Sequence, residues 1–209
     1  MSEEVLSQLA PGGTLRAGFN LANKLLITGE GPAGVAPDMA AEIAARLGVG
    51  VSLVPFPSPG DVADQVANDI WDICFIGAEP KRAETIHFTA AYVEIEATYL
   101  VPEGSPLGTV EEVDRDGVRI AVSGRSAYDL YLDRNLQRAQ LVRAKGVAGA
   151  VDLFVDEKLD ALAGLRPALM GEVEKIPGAR ILDGGFTAVQ QAIGCRPGDE
   201  AGAAFLRDF

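Results

Sequence analysis

The sequence predicts an α/β fold built as two successive lobes. Three observations lead there. Between Thr14 and Val101, short apolar strand-like runs alternate with helical patterns in the order β-α-β-α-β. The stretch Pro102-Glu103-Gly104-Ser105-Pro106 then reads as a linker. After it a second strand–helix alternation begins. Such alternation argues for a parallel sheet covered by helices, with right-handed crossovers placing the loops after each strand at one edge. Ligands bind beyond the carboxyl ends of strands in sheets of this kind, so the loops after Phe19, Phe56 and Ile76 are the first candidates.

Residues 2–9 read as a short helix capped by Ser2 and ended by Pro11-Gly12-Gly13. Residues 14–19 form the first strand, and residues 20–30, rich in Asn, Thr and Gly, a loop. Asp38 is expected to cap a helix over 39–47, whose Met39, Ile43 and Leu47 recur at helical spacing. Gly48 and Gly50 end it, residues 51–56 are the second strand, and Pro55, Pro57 and Pro59 punctuate the turn. A helix over 61–69 follows, with Val62 and Val66 inward. Ile73 to Ile76 is a buried strand that Gly77 is expected to end; Glu79-Pro80-Lys81-Arg82 opens a short helix, with Pro in its first turn. Phe88, Ala91 and Tyr92 fall in a loop, and residues 94–101 read as a strand stopped by Pro102. Beyond the linker the expected strands are 118–122, 141–143, 161–163, 180–182 and 190–195. The expected helices there are 127–136, 147–155 and 167–173, with a last one beginning near Asp199.

Composition narrows the function. The chain has 209 residues and a net charge of −12, from 18 basic and 30 acidic side chains. No basic stripe is available to neutralise phosphates, so nucleic acid is excluded as a partner. No apolar run reaches the ~20 residues needed to span a bilayer, so membrane insertion is not expected. The two cysteines, Cys74 and Cys195, lie in apolar strand-like runs and read as buried free thiols in preference to a disulfide. One histidine, His87, and no paired Cys spacing leave no zinc pattern, and no cofactor is implied. Neither G-x-S-x-G nor H-E-x-x-H is present, so the chain is not read as an enzyme. The acidic start, MSEEVLSQLAPGG, has no signal-peptide core. The protein is therefore periplasmic if a signal peptide has been removed, and cytoplasmic if Met1 is the native start.

The stretch DICFIGAEPKRAETIHFTAAYVEIEATYLV, from Asp72 to Val101, resembles the family 3 extracellular solute-binding proteins. It has their order of strand, Gly, (E/P)-x-R-A-x-x-(I/V)-x-F-(S/T)-x-x-Y and strand. GVAPDMAAEIAARL, from Gly34 to Leu47, is similar to the family's first-lobe helix. GVRIAVSGRSAY, from Gly117 to Tyr128, is similar to its second-lobe strand–loop–helix, and Leu159-Asp160-Ala161 and the segment 191–200 match later landmarks. The resemblance implies a two-lobed type II periplasmic-binding fold. One lobe would be residues 1–101 plus 191–209, the other 102–190, and the hinge two crossing segments near 101–105 and 186–191. Relatives continue with more helix, so the chain is expected to be short at its C-terminus. The implied role is capture of a small carboxylate or amino acid by a monomer, for delivery to an ABC-transporter permease. A lyase resembling prephenate or arogenate dehydratase, and a ligand-sensing domain, are the alternatives the same fold allows.

The resemblance also implies site residues. Arg82 would pair with a ligand carboxylate through its guanidinium fork, with the Gly77 backbone N–H nearby. Ser126 would add a hydroxyl, and the N–H groups of Gly124-Arg125-Ser126 would point outward toward the anion; the residues alone equally allow Ser126 to be a plain helix cap. Arg125 would contribute a further charge. Asn20 and Asn23 follow the first strand, where the family has an acidic residue and an aromatic; Asn23 would hydrogen-bond a polar ligand. Amino-acid-binding relatives carry an Asp where this chain has Leu165. Either another acid, Glu94 or Glu96, holds the ligand ammonium, or Arg166 joins Arg82 and Arg125 on a ligand with more than one anionic group. The side chains are expected to face open water, so replacing Arg82 or Ser126 would leave ligand-free stability nearly unchanged.

Overall fold

The computed structural model describes residues 1–28 and 33–209; the Gly29–Glu30 end of the expected 20–30 loop lies outside the described residues. The chain divides into two compact units, Met1–Val93 with Gln190–Phe209, and Glu94–Val189. It passes from one to the other at Val93/Glu94 and at Val189/Gln190. This division assigns residues 94–101 to the second unit, whereas the sequence reading places them in the first lobe.

In the first unit, α1 (Glu3–Leu9) starts at Ser2, whose hydroxyl accepts a bond from Val5 N. Strand β1 (Thr14–Asn20) is flanked by β2 (Gly50–Phe56) and β3 (Ile73–Ala78), both parallel to it. On the far side of β3 lies β10 (Thr187–Cys195), antiparallel to it, and the two-residue β4 (His87–Phe88) pairs with β10 in turn. Phe88 was expected in a loop; the Cys195 end of β10 recruits it together with His87. Pro55 is tolerated inside β2 because that strand is an edge of the sheet.

Helix α2 spans Val35–Leu47 and begins four residues before the expected start at 39. Its N-cap is Gly34 at φ 113°, not Asp38, which sits in the first turn. A Cβ at Gly34 would stand 2.7 Å from the Leu26 carbonyl oxygen, so only glycine fits. Pro37 lies in the first turn, where its missing N–H leaves no bond unmade. Helix α3 (Pro59–Asp64) is shorter than the expected 61–69 and is capped by Ser58; Asp69, at φ 52°, closes the turns that follow. Val62, Trp71, Cys74, Ile76 and Ile86 form an apolar cluster on one face of β3. On its other face Phe75 stacks on Phe19, with ring centroids 5.2 Å apart. Helix α8 (Glu200–Asp208) returns against α1, where a Cβ on Gly202 would meet Leu9 at 2.7 Å.

The second unit repeats the plan. Strand β5 (Val93–Val101) pairs antiparallel with β8 (Ala161–Leu165), and β6 (Arg119–Ser123) pairs parallel with both β8 and β7 (Gln140–Ala144). The short β9 (Arg180–Ile181) adds to β5. Alternate residues of β6 face opposite cores. Ile120 and Val122 pack with Tyr99, Tyr128 and Leu132, the last two from α5 (Ala127–Asn135). Ala121 packs with Ala150 and Phe154 of α6 (Gly146–Asp156) and Leu169 of α7 (Arg166–Val173). A 3-10 turn at Glu111–Val113 has no counterpart in the sequence reading.

Each unit fastens one strand, β1 in the first and β6 in the second, to a later one by a reciprocal Arg–Asp clasp. Arg16 N donates to Asp72 Oδ2 (2.8 Å), Asp72 N donates to Arg16 O (2.8 Å), and Arg16 Nη2 reaches Asp72 Oδ1 (2.7 Å). In the second unit Arg119 N donates to Asp160 Oδ2 (2.8 Å) and Asp160 N to Arg119 O (3.0 Å). The Asp72 side chain is fully buried, whereas that of Asp160 is 43% exposed.

The thiols are free and buried. Gly194, not Cys195, lies opposite Cys74 across β3 and β10, so the two side chains point to opposite faces of the sheet. Burial pushes the Cys74 thiol far up and the Cys195 thiol up to about 11. Neither is therefore a thiolate near neutrality. A disulfide-exchange reagent is expected to leave both unmodified in the native protein and to titrate both in denaturant; native labelling would contradict this packing. Asp72→Ala removes one partner of a buried pair and is expected to cost about 3–5 kcal/mol in urea unfolding. The half-exposed counterpart Asp160→Ala is expected to cost about 1 kcal/mol.

Candidate functional site

In the first unit the candidates sit at the carboxyl end of the sheet. Asn20 is the last residue of β1, and its Oδ1 accepts a bond from Ala22 N (3.0 Å), which turns the chain back. Asn23 follows, 8% exposed; its carbonyl accepts from Leu26 N and Ile27 N. Among the described residues, no hydrogen bond engages its side-chain amide. Gly77 does not end β3: the strand runs on to Ala78, with Gly77 opposite Gln191. The antiparallel partner β10, distant in sequence, supplies the bonds that carry it past the glycine.

Glu79 then caps α4 (Pro80–Ala83), its carboxylate accepting from Lys81 N (3.0 Å). This single turn presents Arg82, which is 5% exposed and donates from Nη1 to Gly77 O (2.7 Å). The structure thus brings Gly77 and Arg82 together through the glycine carbonyl. The bond fixes the direction of the guanidinium at the carboxyl end of β3.

In the second unit Ser123-Gly124-Arg125-Ser126 forms the turn between β6 and α5. The N–H groups expected to point outward are satisfied within the unit. Gly124 N donates to Ala144 O (2.9 Å), Arg125 N to Asp129 Oδ2 (2.7 Å) and Ser126 N to Ser123 O (3.3 Å). Arg125 adopts φ 63°, which swings its N–H onto that carboxylate. Ser126, 5% exposed, caps α5: its Oγ accepts from Asp129 N (3.0 Å). The organiser of the turn is Asp129, buried and paired with Arg143 Nε (2.8 Å). Sequence reasoning passed over it, although the spacing Ser126-x-x-Asp129 is a capping-box pattern.

Arg166 lies at the start of α7. It pairs with Glu96 through Nε and donates from Nη2 to Leu182 O (3.1 Å) and Gly184 O (2.7 Å). Its charge is met by Glu96, so neither residue stands ready in the role expected of it, Arg166 toward a polyanion or Glu96 toward an ammonium. Leu165, at the N-cap of α7, makes no side-chain cap bond. The sequence reading also missed Tyr92. Its ring stands edge-on to Phe75 (6.2 Å), and its buried hydroxyl has no partner among the described residues. Burial, with the Cys74 charge as a lesser cause, pushes its phenol well above the usual range, so it stays protonated at physiological pH.

A family model described as bacterial extracellular solute-binding proteins, family 3, matches residues 25–201. No curated protein sequence matches the chain. Among solved structures, an arginine-bound mutant of ArgBP from T. maritima is similar at TM-score 0.78 and 21% identity, over 97% of each chain. A putative ABC-transporter binding component from Wolinella succinogenes, complexed with lysine, is similar at TM-score 0.79 and 20% identity, over 95% of this chain and 88% of that one. The ancestral amino acid-binding protein AncCDT-1, a precursor of cyclohexadienyl dehydratase, is similar at TM-score 0.77 and 21% identity, over 97% and 90%. The likeness establishes the fold as the two-lobed type II periplasmic-binding fold.

The burial of Arg82 and Ser126 changes what their replacement does. They do not face open water, so ligand-free stability is not expected to stay constant. Ser126→Ala is expected to lose about 0.5–2 kcal/mol in denaturant unfolding through the lost cap. Ser126→Thr, which keeps a capping hydroxyl, is expected to recover most of it. An unchanged midpoint for the alanine variant would contradict the capping role.

Proposed function

The chain belongs to the bacterial extracellular solute-binding proteins, family 3, and on that footing we propose that it captures a small carboxylate-bearing solute, an amino acid foremost, and releases it unchanged to an ABC-transporter permease. The observation that carries the reading is Arg82, held at the carboxyl end of β3 on a turn whose cap and proline fix its direction. A guanidinium aimed by a backbone carbonyl loses little entropy on gripping a carboxylate through two parallel N–H bonds. Asn23 offers a side-chain amide at the same end of the first unit. Ser126 keeps its assignment as a second carboxylate contact, additional to its cap, and Arg125 as a neighbouring charge.

Arg166 is paired with Glu96, so the case for a polyanionic ligand loses one of its three arginines. Amino acids come first instead, and arginine and lysine first among them. The net charge of −12 draws cationic solutes toward the protein, and two of the similar structures hold these ligands. The protein works as a monomer outside the cytoplasm and performs no chemistry on its ligand.

A thermal-shift panel of the common amino acids and small mono- and dicarboxylates tests this. A true ligand at about 100 times its Kd contributes about 2.7 kcal/mol, enough to raise Tm by several degrees. Mass spectrometry of the released ligand is expected to find it unchanged. Conversion of prephenate or arogenate would replace the binding role with a lyase, and a panel with no stabilising member would remove the amino-acid reading.

A further inference from the structure

Arg166 does something other than meet a ligand. Strand β5 leaves the first crossing, Val93/Glu94, and Glu96 is its third residue within the second unit. The segment 182–186 runs back along β5 toward the second crossing at Val189/Gln190. Leu182 N donates to Tyr99 O (2.9 Å) and Phe186 N to Ala97 O (3.0 Å). Between these bonds the segment bulges. Gly184 takes φ 72°, and Gly185 lies so close to β5 that a Cβ would stand 2.4 Å from Glu96 Cγ and 2.9 Å from Ala97 O.

Such a bulge leaves the carbonyls of Leu182 and Gly184 outside the ladder. Two side chains collect them. Thr98 Oγ1, fully buried on β5, reaches Leu182 O (3.3 Å) and Gly184 O (2.8 Å). Arg166 Nη2 reaches the same two oxygens while its Nε pairs with Glu96. Arg166 is placed there because β8 pairs with β5 at Leu165↔Ala97 and α7 starts at the next residue. One guanidinium therefore bonds both segments by which the second unit is joined to the rest of the chain.

We infer that Arg166 is a positioning residue, a clamp that fixes the second-unit ends of both crossing segments and so confines flexing to Val93/Glu94 and Val189/Gln190. The flat fork makes this possible, since one edge takes a carboxylate while another N–H takes carbonyls. Lysine has no such spread of donors. Glu96 neutralises the charge, which lets the guanidinium lie against backbone at modest desolvation cost. The role is independent of which solute the protein captures.

Hydrogen exchange on the ligand-free protein tests the clamp. In Arg166→Met, the Leu182 and Phe186 amides are expected to exchange about tenfold faster or more, because local opening no longer breaks charge-assisted bonds. The Ala121 and Val122 amides in the centre of β6 are expected to stay within about twofold of wild type, which separates a clamp from general destabilisation. Arg166→Lys, keeping the partner of Glu96 but not the carbonyl bonds, is expected to fall between. If the Met variant does not fold, Glu96→Gln serves, with a smaller acceleration confined to the same amides. Unchanged exchange at Leu182 and Phe186, or equal acceleration throughout the second unit, would overturn the inference.

Discussion

The clasp between an arginine on one parallel strand, β1 or β6, and an aspartate ahead of a later strand is the constraint on which each unit depends. It uses a backbone N–H and C=O of the arginine against the carboxylate and N–H of the aspartate, so neither residue can shift without breaking two bonds. In the first unit it sets the register in which Ala17 pairs with Ile73, and in the second that of Ile120 with Ala161. The guanidinium also reaches the Asp69 carbonyl in one unit and the Lys158 carbonyl in the other, and both residues adopt positive φ. A buried carboxylate such as Asp72 is stabilising only while its partners stay in place. Arg196 adds a second cation to it, 3.7 Å away, from just beyond the end of β10.

Fixing the amino ends of the strands leaves their carboxyl ends to be shaped by turns. In the first unit a one-turn helix capped by Glu79 aims Arg82, and an Asn20 side-chain bond folds the loop that buries Asn23. In the second a buried aspartate takes the N–H that an outside anion would otherwise reach. The two ends are thus unlike in chemistry. The first carries an arginine and an asparagine, and the second a helix start already capped from within. On the proposed function, the strongest ligand contact falls to Arg82.

The alternation of strands and helices was readable because it rests on local periodicity, and the Glu79-Pro80 start of the short helix because capping is local. What escaped the sequence depends on partners far along the chain. Gly77 looked like a strand end, yet β10 pairs with it. Asp38 had the better capping chemistry, but the Leu26 carbonyl leaves room only for Gly34 at the true start of α2. The Gly124-Arg125-Ser126 turn looked like an open anion site because only the positive φ of Arg125 brings its N–H within reach of Asp129. Arg166 looked like a ligand residue because nothing local reveals that Glu96, 70 positions earlier, lies beside it.

Calorimetric titration of Arg82→Ala against wild type, with the strongest stabilising amino acid, tests the proposed carboxylate fork most directly. Each protein is first checked for a native circular dichroism spectrum, since Arg82 is buried and bonded to Gly77. The expected loss is about 2–5 kcal/mol, which is roughly thirty- to several-thousand-fold in Kd. A folded Arg82→Ala protein that binds as tightly as wild type would contradict it.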